Sequence, residues 1–111
     1  MPRVVPDGRP MEPWLLELMN RICTNLKNHH ISVQQAFQRA GMPENIDGVM
    51  AYRSMDFIAH CEREFRMMSK EASLIASHFT VPSSPNYVDF VRFSTAIERE
   101  MTKYEAVLGV H

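Results

Sequence analysis

MSKEASLIASHFTVPSSPNYVDFVRFSTAIERE, residues 68 to 100, reads as helix, loop and helix. Ser69 is placed as an N-cap whose hydroxyl accepts from a first-turn amide, and Glu71 follows where the positive end of the helix dipole favours a carboxylate. Leu74, Ile75, His78 and Phe79 come at helical spacing. The run Val81-Pro82-Ser83-Ser84-Pro85-Asn86 cannot continue that helix, because two prolines remove amide donors and push the residues before them out of the α region. An extended piece, Val88-Asp89-Phe90, then leads into Phe93, Ile97, Met101, Tyr104 and Leu108. Their steps of four, four, three and four residues mark one face of a long helix.

Upstream, Ser54 opens a helix carrying Met55, Ile58, Ala59, Glu62 and Phe65, with Phe57 and Cys61 one position round. Before it lies a second loop, Pro43 to Ser54. Ser32 and Gln35 form a capping box for a helix through Val33, Ala36, Phe37 and Ala40, which Gly41 and Pro43 terminate. Trp14, Leu15, Leu18, Met19, Ile22 and Leu26 repeat at three- and four-residue steps, with Pro13 suited to a first turn, so an amphipathic helix precedes the two helix-loop-helix units. Residues 1–13 hold four of the seven prolines with little apolar pattern and read as an extended arm, leaving residues 14–111 as a single domain.

A terminal Phe, a short loop, a hydrophobic β residue, Asp, an aromatic residue and Phe three further on is an order that resembles the second half of an EF-hand pair. The resemblance covers roughly residues 31–100 and implies an all-α fold: an EF-hand-like pair of helix-loop-helix units with an extra N-terminal amphipathic helix. It lies in the frame and not in the ligands. An EF-hand loop supplies oxygens at positions 1, 3, 5, 7, 9 and 12. With Val88 at position 8, positions 1, 5 and 12 are Val81, Pro85 and Arg92, so an apolar group, a ring and a cation stand where oxygens are required. The first loop keeps Asn45 at position 3, Asp47 at 5, Gly48 at 6 and Met50 at 8, but has Pro43 at 1 and Ser54 at 12. Asn45 and Asp47 are therefore weak metal candidates. Met50 and Val88 are expected to pair as a small bridge between the loops. The entry helix, Leu-Lys-Asn-His-His-Ile before Ala36-Phe37, and the ending at Phe93 resemble modules of multi-EF-hand proteins of cilia and flagella.

Twelve basic against thirteen acidic side chains leave a formal charge of −1, which gives no electrostatic case for nucleic acid or an anionic membrane. No apolar run approaches the roughly 20 residues of a membrane span. Cys23 and Cys61 form no C-x-x-C pair and no secretory pattern opens the chain, so a reducing, cytoplasmic setting is expected. His29 and His30, like His60 and Cys61, are neighbours that diverge on a helix, which argues against a metal cluster or a nucleophilic pair. No catalytic motif is present, and neither an enzyme nor a cofactor is expected.

Nine methionines are the more informative set. Methionine adapts its shape and is over-used on surfaces that grip helices, while the alternative is that it fills an irregular core. The candidate partner-binding residues are Trp14, Met50, Met55, Phe57, Met67 and Met68, and the expected partner is an amphipathic helix or a cytoskeletal assembly. Trp14 to Leu26 could instead occupy such a groove itself. The expected function is calcium-independent protein binding, as a microtubule-associated or axonemal subunit of a cilium or flagellum. The alternatives are a calcium sensor using the first loop, or a light-chain-like subunit on a target helix.

Overall fold

The computed structural model describes residues 3–4 and 10–108. Strands β1 (Arg3–Val4) and β2 (Pro10–Met11) pair antiparallel; residues 1–2 and 5–9 of the expected arm lie outside the described residues. Helix α1 (Pro13–His29) follows, with Pro13 at its start and His30 ending it in the left-handed region. Leu15, Leu18, Met19, Ile22 and Leu26 are all buried, so the stripe read from the sequence is the face laid on the core except at Trp14, which stays on the surface.

From here the chain is two similar units. The first is α2 (Val33–Ala36), strands β3 (Glu44–Ile46) and β4 (Val49–Arg53), and α3 (Ser54–Phe65). The second is α4 (Ser69–His78), strands β5 (Thr80–Val81) and β6 (Ser84–Asp89), and α5 (Phe90–Leu108). The four strands form one antiparallel sheet in the order β3-β4-β6-β5. The expectation of an all-α fold is thereby overturned: both loops are β-hairpins, and the class is mixed α and β.

The cause is turn chemistry. Ile46 pairs with Val49 across the two-residue turn Asp47-Gly48. Asp47 has φ 51° and Gly48 φ 82°, the positive values that a two-residue hairpin turn matching strand twist demands. Asn45 Oδ1 accepts the Gly48 N–H at 2.9 Å and fixes the bend. In the second unit Pro82-Ser83 makes the turn between Val81 and Ser84, with proline where a fixed φ near −65° is useful. Pro85 removes a donor from β6, but it falls in the irregular stretch where the β5–β6 register shifts, so no ladder bond is lost there. The hairpins meet through Ala51–Asp89, Tyr52–Val88 and Arg53–Tyr87. Val88 does bridge the units, but its partner is Tyr52, two residues beyond the expected Met50.

Helix boundaries shift for similar reasons. The Ser32–Gln35 capping box is present, but α2 stops at Ala36, and Phe37 to Arg39 form turns that lead to Gly41 at φ 116°. The N-cap of α4 is Met68 and not Ser69; the Glu71 carboxylate reaches back to the Met68 N–H at 2.9 Å.

An aromatic cluster joins the units. Phe37 and Phe79 end the entry segments and Phe57 and Phe93 sit four residues into the exit helices, all four fully buried. The Phe37 ring centroid lies 5.4 Å from Phe57, 5.3 Å from Phe90 and 5.3 Å from Phe93, and the Phe57–Phe93 pair meets edge to face at 5.0 Å. Helices α1 and α5 close the core together, with the Cys23 thiol donating to the Ile97 carbonyl at 3.7 Å. On the predicted α5 stripe, Phe93 and Ile97 are buried and Met101 packs against the core; the Tyr104 and Leu108 side chains lie outside the described residues.

Two substitutions test this account in urea melts. Phe37→Ala removes a fully buried ring touched by both units and is expected to cost about 3–5 kcal/mol. Gly48→Ala places a Cβ in open space, so its expected cost of about 1–2 kcal/mol comes from the left-handed backbone alone.

Candidate functional site

The paired hairpins occupy the place where the calcium frame was expected, and their polar side chains are committed to protein partners. Asn45 Oδ1 is spent on its own turn. The Asp47 carboxylate accepts from the Ser83 hydroxyl, so the tips of the two hairpins are tied side chain to side chain. In the second loop Arg92, the residue at the frame's last position, turns its guanidinium inward. It donates to the Thr80 carbonyl at 3.2 Å and to the His78 carbonyl at 3.4 Å, and its carbon lies 5.9 Å from the Phe79 ring centroid. The arginine thereby places a positive charge at the C-terminal end of α4, where unsatisfied carbonyls favour it. Asp89 completes the arrangement. Its side chain accepts the Arg92 N–H at 3.0 Å as the cap of α5, and its own N–H donates to the Phe79 carbonyl at 2.7 Å.

The first unit satisfies the matching carbonyls with neutral groups. The Tyr52 hydroxyl donates to the Phe37 carbonyl at 3.2 Å, and His60 Nε2 lies 2.6 Å from the Ala36 carbonyl, which makes Nε2 the protonated nitrogen. His60 is fully buried. Desolvation lowers its pKa below the usual 6.5, with Arg63 adding to the effect, while the bond to Ala36 and the charge of Glu64 act in the opposite direction. Arg63 Nη2 lies 3.4 Å from His60 Nδ1. Outside the core, the Arg53 guanidinium meets Glu44 at 3.2 Å and the Tyr87 hydroxyl donates to the same carboxylate at 3.3 Å.

The nominated partner-binding residues divide into two kinds. Phe57 and Met67 are buried, Phe57 within the aromatic cluster, and reach no partner while the fold is closed. Met55 is 78% exposed, Met68 65%, Trp14 41% and Met50 40%, so these four are on the surface. They do not make one patch. Met55 lines a cavity of about 450 Å³ beside the hairpins with Arg53, Asn86 and Tyr87, whereas Trp14 lines a cleft between α1 and α4 with Leu74. Leu74, 39% exposed, was not singled out from sequence. Its place in an apolar helical run made it look like core, and only the packing of α1 against α4 shows which side of the run stays outside.

Burial pushes the thiols of Cys23 and Cys61 up to about 12, so both are protonated and unreactive at neutral pH. Among the described residues no group of three or more His, Cys, Asp or Glu side chains is arranged to hold a metal ion, and no helix is long and apolar enough to cross a membrane. No family model matches the chain, and neither a curated protein nor a solved structure matches it.

His60 gives the module a defined pH response. Because its pKa is lowered on folding, the unfolded chain binds a proton that the folded chain refuses. The stability it contributes is complete above about 6.5 and is lost as pH falls through the folded value. Melting temperature should therefore drop between about pH 7 and pH 5. His60→Gln, which keeps an N–H for Ala36 and removes the titration, should flatten that part of the profile.

Proposed function

We propose that this chain is an ion-independent protein-binding module, a degenerate relative of the EF-hand pair that serves as a constitutive structural subunit. The observation that carries the reading is the commitment of both hairpins to internal partners: Asp47 to Ser83, Asn45 to Gly48, and Arg92 to the His78 and Thr80 carbonyls. In calcium-responsive EF-hand pairs the ion neutralises clustered carboxylates and moves the helices. Here an arginine supplies the positive charge permanently, and no carboxylate cluster awaits neutralisation among the described residues. Kinship with the EF-hand pair is supported by the matched positions of Phe37 with Phe79 and Phe57 with Phe93, and by the joining of the two loops through Tyr52 and Val88.

A binding role is supported further by what the surface offers. Exposed Trp14, Leu74, Met55 and Met68 are large apolar groups in a chain whose core is already filled. Both thiols are buried and protonated, and His60 is engaged with Ala36, which favours binding over catalysis. The sequence resemblance to ciliary and flagellar modules supports a proposed partner in a microtubule-based assembly and a cytoskeletal location.

The tagged protein, extracted from its native cells with detergent in a calcium chelator, should stay with the insoluble cytoskeleton, and calorimetry should register no calcium binding tighter than about 10⁻⁵ M. Release into the soluble fraction together with one motor or enzyme chain would instead make it a light-chain-like subunit. Tight calcium binding would overturn ion independence.

A further inference from the structure

Three depressions follow one another along the outer side of α1. The first, about 230 Å³, lies between Trp14 and Leu74 over Leu18, with the Arg21–Glu71 ion pair at 2.7 Å beside it. The second, about 480 Å³, shares Glu17 and Arg21 with the first and runs over Asn25 to Phe65. The third, about 100 Å³, shares Asn25 and Phe65 with the second and ends at His29, Ile31 and Glu64. Shared walls make them one groove. From Trp14 to His29 it follows fifteen helical steps, about 22 Å at 1.5 Å each, which is the length of a four-turn helix.

The groove has the two elements that helix recognition requires. Apolar anchor points stand at its two ends, Trp14 and Leu74 at one and half-buried Ile31 at the other. Its charge is unlike that of the whole chain, which is close to neutral. Three carboxylates, Glu17, Glu71 and Glu64, line it against one guanidinium, Arg21, which is already bound to Glu71. The Met68 N–H and Arg21 together hold the Glu71 carboxyl below its usual range, so it stays ionised. Glu64 has the Arg63 side chain at 3.8 Å, a loose surface contact of small worth.

We propose that this groove docks a basic amphipathic helix of a partner protein, its apolar stripe on Trp14, Leu74 and Ile31 and its lysines or arginines beside Glu17 and Glu64. The proposal rests on the protein-binding reading above and names the partner's chemistry. Such a helix is held by burial of a few apolar anchors, while the surrounding charges select the sign of the ligand and speed its approach.

Trp14 is the one tryptophan of the chain and stands at the mouth of the groove, so it reports occupancy directly. The full chain is titrated with an amphipathic peptide of about 18 residues, leucines at helical spacing and lysines elsewhere, and with its Lys→Glu counterpart. Tryptophan emission and calorimetry are both followed. The basic peptide should bind saturably with a blue shift, and the acidic one should not. Leu74→Asp, at an exposed position, should weaken binding by about tenfold or more. Paired Glu17→Lys and Glu64→Lys changes should abolish the preference for the basic peptide, and circular dichroism checks that each variant is folded.

Equal binding of both peptides, binding of neither, or loss of binding in Met55→Asp but not in Leu74→Asp overturns the proposal. So does a concentration-dependent dimer, seen by sedimentation, that Leu74→Asp dissolves, because a second copy of the chain would then be the occupant. Cytoskeletal retention separates the two levels of the argument. If the Leu74→Asp chain is retained as well as the unaltered one, the groove assignment fails and the module reading stands; if the unaltered chain is itself released, the cytoskeletal reading fails and the peptide titration alone decides the groove.

Discussion

The Phe37 ring is the point on which both halves of this fold depend. It ends the entry segment of the first unit, yet its neighbours include Phe90 and Phe93 of the second unit as well as Tyr52, Phe57, His60 and Phe65 of the first. Aromatic pairs in offset and edge-to-face arrangements contribute beyond the area they bury, and here several share a single ring. The same ring fixes where polar groups must find partners. With Phe37 drawn inward, the carbonyls of Ala36 and Phe37 at the end of α2 leave water, and His60 and Tyr52 supply their donors. A buried carbonyl without a donor is costly, so the two polar side chains are as much part of this core as the phenylalanines.

The two units solve one problem with different chemistry. Each entry segment ends in carbonyls that face the interior of the molecule. The first unit uses a neutral imidazole and a phenol, and the second uses a guanidinium. Arginine keeps its charge at any pH a protein meets, whereas the imidazole must stay neutral to remain where it is. The second unit is thus insensitive to acid at this point and the first is not. That asymmetry locates the weaker end of the molecule under mild acid on the side of α2, a helix of only four residues.

Much of the helical framework was legible in the chain. The stripe from Leu15 to Leu26 is the buried face of α1, with Trp14 left outside it, and Ser32 with Gln35 does cap α2. Phe79 and Phe93, which frame the second unit in the sequence, are gathered in the core with Phe37, and Phe57, nominated for a partner, joins them there. The sheet was misread because Asn45, Asp47 and Gly48 suit two roles. They are acceptable at positions 3, 5 and 6 of a calcium loop, and Asp-Gly between Ile46 and Val49 is also a strong hairpin signal. With Pro43 and Ser54 at the loop's outer positions the turn reading was the stronger one. Surface against core was harder still. Met67 and Met68 are adjacent, and one is 5% exposed and the other 65%. No periodicity argument separates them, because Arg66 ends α3 in the left-handed region and resets the direction of the chain.

The packing of α1 on α5 bears on how the chain is made. Cys23 and Ile97 are 74 residues apart, yet they touch, so the apolar stripe of α1 leaves the ribosome long before the helix that covers it. During that interval Leu15, Met19, Ile22 and Leu26 have no complete core to enter. The apolar face of α1 therefore stays incompletely covered until α5 has been synthesised, with only α3 and α4 to pack against before then. Slow translation of the segment between α1 and α5 would lengthen that exposure and lower the yield of folded protein, although the finished molecule would be unchanged.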